Sequence, residues 1–103
     1  MKTFLSGLIF LVGFQYQLHA AITDTVETRS NIMNKNIKAV VIKPDNYAAA
    51  KALPVVYLLH GYSGNYADWV KKATGVEKLA DTYNIIIVCP DGNFGSWYWD
   101  SPV

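Results

Sequence analysis

Cysteine is almost missing from this 103-residue chain, and the single Cys89 has no partner with which to staple it. A small disulfide-held scaffold is therefore excluded. Histidine is nearly as scarce, with only His19 and His60, and no spacing of His, Cys and carboxylates assembles the three or four ligands that a metal site needs. Neither a metal nor a cofactor is expected. A surplus of one charge is lacking too: nine Lys and Arg stand against eight Asp and Glu, so no basic face for nucleic acid or anionic lipid is expected. The longest apolar block, Phe4 to Phe14, is too short to cross a hydrocarbon core of about 30 Å as a helix, which argues against a permanent membrane anchor.

What the chain does have is apolar mass. Hydrophobic residues make up 51% and charged residues 17%, which excludes intrinsic disorder and fits a packed core of one small domain at most. The first twenty residues belong to a different class from the rest. "MKTFLSGLIFLVGFQYQLHA" has Lys2 as its only charge, then the apolar block, then a polar stretch closing on small residues, Ala20 and Ala21. That order is the layout of a secretory signal peptide, so residues 1–20 are expected to direct the remaining 21–103 to an extracytoplasmic place, secreted or periplasmic. Leu18 departs from the small-x-small cleavage pattern, and the cut site is open by a residue or two.

Periodicity organises residues 21–103. "TVETRS" and "NIKAVVIKP" read as two extended segments around the polar "NIMNK", a hairpin. "PVVYLL" is apolar at every position, as in a strand buried on both faces of a parallel sheet, and "IIIVC" repeats the signature with Cys89 as a small buried hydrophobe. Between them Thr74 and Glu77 have capping-box spacing, and Val76, Leu79, Ala80 and Tyr83 share one helical face. Strand, helix and strand in that order close as a right-handed parallel unit whose ligands lie beyond the carboxyl ends of the strands. "HGYSGNYADW" and "PDGNFGSWYWDSP" fall at those ends.

The first of these loops poses a chemical question. Gly61, Tyr62 and Ser63 begin a G-x-S-x-G nucleophile turn, but Asn65 stands where the second glycine is required, so Ser63 is not expected to be a nucleophile. His60 is likewise not expected to be catalytic, because no acid is placed to orient it. A strand end can instead present a backbone donor to an oxyanion, and a His-Gly start is the form that loop takes in α/β-hydrolases. A plainer alternative is that Gly61 and Gly64 only shape the loop. Asp68 and Trp69 are expected to fix it to the following segment, while Asp91 and Asp100 are expected to hold turns by side-chain hydrogen bonds.

"LPVVYLLHGYSGNYADW", "YNIIIVCPDGN" and "GSWYWDSP", in that order over roughly residues 40–103, resemble the esterase-D-like α/β-hydrolases, which include feruloyl, acetyl and tributyrin-type esterases and the antigen 85 relatives. The resemblance implies an α/β fold, here the amino-terminal part of an α/β-hydrolase sheet, with a hairpin followed by a parallel strand-helix-strand unit, incomplete. It implies a serine carboxylesterase acting on acyl esters, small or carried on polysaccharide, with no cofactor. In that family the loop after "LLHG" supplies an oxyanion-hole amide, which maps onto Tyr62, with Gly61 and Gly64 shaping the loop. His60, Trp97, Tyr98 and Trp99 map to the edge of the substrate cleft. The family's nucleophile serine, acid and catalytic histidine come later, so no catalytic residue is expected within these 103 residues. The chain thus reads as the front portion of a longer esterase, either a truncated product or an incomplete sequence. Two other classes stay open: a non-catalytic remnant, and a small carbohydrate-binding module using Trp97 and Trp99. Acyl and alcohol preference and oligomeric state are not encoded in these residues.

Overall fold

The computed structural model describes residues 20–49 and 51–99. The expected signal peptide up to His19, and the expected turn at Asp100, lie outside the described residues.

Two nine-residue strands come first, β1 (Ile22–Ser30) and β2 (Lys35–Lys43). Thr23, Thr25, Val26 and Thr28 in β1, and Val40, Val41 and Ile42 in β2, are β-branched residues suited to a pleated surface. Asn34 closes the turn between them with φ 50°, a left-handed conformation that asparagine tolerates, and Ser30 Oγ accepts the Met33 amide at 3.2 Å. The antiparallel register runs from Ile22↔Lys43 to Ser30↔Lys35. It sets Glu27 opposite Lys38, whose charges pair at 3.8 Å across an exposed surface. Such a pair contributes less than about 1 kcal/mol, so it assists the register without deciding it.

Next come β3 (Val55–Tyr57), α1 (Asp68–Lys72), α2 (Val76–Tyr83) and β4 (Ile86–Pro90). The strands form one sheet in the order β1-β2-β4-β3, with β2 antiparallel to β4 and β3 parallel to β4. The hairpin and the parallel crossover unit thus stand as expected, and this is the α/β class. The crossover holds two helices where one was expected, because Asp68–Lys72 turns helical directly after the loop.

The core lies on one side of the sheet. Val40 faces Cys89 and Ile42 faces Ile87 across the β2–β4 register, and all four are buried beneath Val76 and Ala80 of α2. Tyr66, Trp69 and Val70 pack at its margin. Three expectations are corrected here. The strands are not buried on both faces: Val55, Val56 and Tyr57 of β3 are all exposed, and since successive side chains alternate faces, the edge strand is left uncovered on both, while the core gathers on β2, β4 and α2. The apolar stripe of α2 is only half used, since Leu79 and Tyr83 are exposed while Val76 and Ala80 are buried. Finally, no capping box forms. The N-cap is Gly75 at φ 90°, which puts Thr74 one residue too far from the first turn to cap it.

Candidate functional site

At the carboxyl end of β3 the chain leaves the sheet after the Leu58 amide bonds Val88 C=O at 2.9 Å. Gly61 to Gly64 then close a four-residue turn, with the Gly64 amide on Gly61 C=O at 3.1 Å and Ser63 in the left-handed region at φ 61°. Such a turn uses neither central amide. That of Ser63 donates to Phe94 C=O at 3.2 Å, while among the described residues the amide of Tyr62 meets no acceptor. Gly64 is required sterically, since a Cβ there would lie 2.6 Å from Asp68 Oδ2 and 3.1 Å from His60 Nδ1. Gly61 is different: a Cβ there would meet nothing within 4 Å.

His60 is the fastener of this site. Its ring is buried, with Nδ1 2.8 Å from Gly61 C=O and Nε2 2.9 Å from the Gly92 amide. A carbonyl can only accept and an amide N–H can only donate, so these partners select the neutral tautomer with hydrogen on Nδ1. Both nitrogens are therefore occupied by backbone, and neither is free to take a proton from Ser63. Asp91 Oδ1 stands 3.4 Å from Nε2 but accepts the Asn93 amide at 2.8 Å, the expected side-chain turn at Asp91.

On the other side α1 ties the loop down. Trp69 Nε1 donates to Leu59 C=O at 3.2 Å, and Asp68 bonds Lys72 at 2.9 Å. The Lys72 hydrogen bond holds the Asp68 carboxyl below its ordinary range. Trp69 thus ties the loop to α1 as expected, whereas the Asp68 carboxylate bonds Lys72 within the helix.

The aromatic segment meets the loop from the far side. Tyr62 stacks on Trp97 with ring centroids 6.0 Å apart and meets Phe94 edge-on at 5.2 Å. Trp97 and Trp99 are exposed, at 67% and 75%. Tyr98 is less exposed, at 38%, and its hydroxyl accepts the His60 amide at 2.7 Å and donates to His60 C=O at 3.2 Å. His60, Gly61, Tyr62, Phe94, Trp97 and Tyr98 line a small cleft of ≈ 50 Å³. A larger groove of ≈ 320 Å³ lies on the other face of Tyr98, between Lys35–Lys38 and the loop from Asp91 to Ser96. Tyr62 lines the smaller cleft and not the larger groove. Trp99 lines the groove rather than the cleft, apart from the other aromatic candidates.

Two contributors escaped the sequence reading. Gly92 allows the Tyr98 ring to lie against it, since a Cβ there would be 2.7 Å from the ring. Phe94 supplies both the Ser63 acceptor and a wall of the cleft. The one available signal was the apolar Phe94 set in the polar turn "PDGNFG". No group of three or more His, Cys, Asp or Glu suited to a metal occurs among the described residues, and no helix among them is long and apolar enough to cross a membrane.

Comparison with known proteins identifies the family. Residues 30–102 match the family described as "Putative esterase". An acetyl esterase of Caldicellulosiruptor saccharolyticus is 38% identical over 79 residues, an alignment covering 69% of this chain and 29% of the relative. Among solved structures, a ferulic acid esterase superposes with a TM-score of 0.62 at 25% identity, over 70% of this chain and 30% of its own. The Anaeromyces mucronatus ferulic acid esterase in complex with ferulic acid gives 0.58 at 26%, over 78% and 32%. The chain therefore spans about three-tenths of the length of these relatives. With a free loop amide at the carboxyl end of a parallel strand and a family match across most of its residues, this chain belongs to the Esterase family of α/β-hydrolases.

Proposed function

We propose that this chain is the front portion of a secreted serine carboxylesterase that hydrolyses acyl esters, acetyl or feruloyl esters on polysaccharide among them. The observation that carries the reading is the Tyr62 amide. It is held in a turn pinned by His60, Trp69 and Phe94, and among the described residues it meets no acceptor. In this role Tyr62 N–H donates to the oxygen of the tetrahedral intermediate, where charge develops, and the amide after the nucleophile donates the second bond. The space beside Gly61, where even a Cβ would meet nothing, leaves room for the acyl carbonyl to approach the backbone. On this reading the nucleophile serine, its histidine and its acid come from the part of the relatives' length that this chain does not span. Names of the matched relatives, acetyl esterase and ferulic acid esterase, support the acyl classes. The tripartite amino terminus supports export.

Two substitutions in the complete enzyme carrying this chain test the donor. Tyr62→Ala keeps the amide and is expected to cost little beyond the ring contacts to Phe94 and Trp97. Tyr62→Pro deletes the N–H and is expected to lower kcat on p-nitrophenyl acetate by about 10²- to 10³-fold. Circular dichroism and matched melting temperatures establish that both variants fold. Equal losses in the two would transfer the role from amide to side chain and end the oxyanion assignment.

A further inference from the structure

Beyond Leu58 the β3–β4 ladder ends, and the amide and carbonyl of His60 have no strand partner. One side chain replaces the missing strand. The Tyr98 hydroxyl, 38 residues away in sequence, accepts from His60 N–H at 2.7 Å and donates to His60 C=O at 3.2 Å. We infer that Tyr98 is a positioning residue for the oxyanion-hole amide, its hydroxyl fixing the His60 backbone so that the turn holding Tyr62 N–H cannot rotate. The inference rests on the reading of Tyr62 as the oxyanion donor.

Three observations support it. First, Trp97 and Tyr98 both have left-handed backbones, φ 53° and 62°, a strained state for successive aromatic residues that persists where surrounding contacts over-determine it. Second, the ring has a seat made for it: any side chain at Gly92 would overlap it at 2.7 Å. The same Gly92 donates its amide to His60 Nε2, so ring, hydroxyl and imidazole converge on one peptide. Third, a hydroxyl committed to both backbone groups of His60 has no hydrogen left for a substrate. Its effect on chemistry must pass through the loop. Burial raises the Tyr98 pKa, which keeps the hydroxyl protonated and able to donate.

The test removes the hydroxyl and keeps the ring, as Tyr98→Phe in the complete enzyme. A misplacement of about 1 Å costs up to about 10²-fold in rate, so kcat on p-nitrophenyl acetate is expected to fall by about 10- to 100-fold with KM changed less than about twofold. A structural role alone would not move the second readout. Affinity for a trifluoromethyl ketone, whose serine adduct bears an oxyanion, is expected to fall by the same factor as kcat/KM. A second variant, Gly92→Ala, pushes the ring off its seat and is expected to give the same paired losses. It carries the test if Tyr98→Phe does not fold. Unchanged kcat, a loss confined to KM, or unchanged ketone affinity overturns the inference. If Tyr62→Pro is impaired while the Tyr98 variant is not, the positioning role fails alone. If Tyr62→Pro keeps full kcat, the oxyanion reading falls and this inference falls with it.

Discussion

His60 illustrates how a residue that looks catalytic can be spent on structure. Its two ring nitrogens join Gly61 C=O to the Gly92 amide, and so join the two loops at the strand ends. Removing the ring leaves both backbone groups unpaired, at about 1–3 kcal/mol each. We expect His60→Ala to destabilise the complete enzyme by about 2–4 kcal/mol, read as a fall in the urea midpoint. A collapse of kcat at unchanged stability would instead make His60 part of the chemistry. Cys89 shows the same preference for structure. Burial first, and the Glu77 charge second, raise its thiol above the ordinary value of 9.0. A raised folded-state pKa means that the native chain holds the proton more tightly than the unfolded chain. Its contribution to stability is complete below pH 9 and declines as pH rises beyond it. The stability advantage of the natural protein over Cys89→Ala should therefore narrow as pH rises above 9, and a constant gap would contradict the assignment. Neither role was legible in the same degree. That Cys89 closes an apolar run told its fate directly, whereas the partners of His60 are backbone groups that no residue pattern announces.

At the scale of elements, α2 separates composition from geometry. Thr74 and Glu77 have capping-box spacing, yet Gly75 takes the N-cap at φ 90° and no side-chain cap bond forms. Thr74→Ala is then expected to change stability by less than about 0.5 kcal/mol, where a capping threonine would cost about 1 kcal/mol. Gly75→Ala should cost about 1–2 kcal/mol from its left-handed backbone alone, since a Cβ there would meet nothing within 4 Å. Thermal melts of both variants of the complete enzyme decide the matter, and a costly Thr74→Ala would restore the capping box. Strand positions were easier to read, because β2 and β4 are dense in Val and Ile whatever covers them. The short helix α1 was missed for lack of length: five residues cannot display a period.

For the whole molecule the exposed edge strand β3 is decisive. Val55, Val56, Tyr57 and Leu59 are all open to solvent in a chain whose formal net charge is only +1. Apolar strands with an unpaired edge and little net charge favour association over a defined fold. We expect residues 21–103 expressed alone to bind a hydrophobic dye, to melt without cooperativity and to hydrolyse p-nitrophenyl acetate no faster than a heat-treated control. A sharp melt from a soluble monomer would instead favour the carbohydrate-binding module, with the exposed Trp97 and Trp99 as its platform.

The amino-acid sequence by itself determined the class and the order of parts: a hairpin, then a parallel crossover, with two polar loops at the strand ends. Those follow from local preferences of β-branched runs, turn residues and helical spacing, each readable within a few positions. Tertiary structure alone decided which loop groups are used and which are free. The Tyr62 amide is available because Ser63 found Phe94, and the turn is held because His60 reached Gly92 and Tyr98 reached His60, across separations of 31 to 38 residues. Such pairings depend on where strands β3 and β4 end beside one another. That placement is a property of the folded sheet and is not written in either loop.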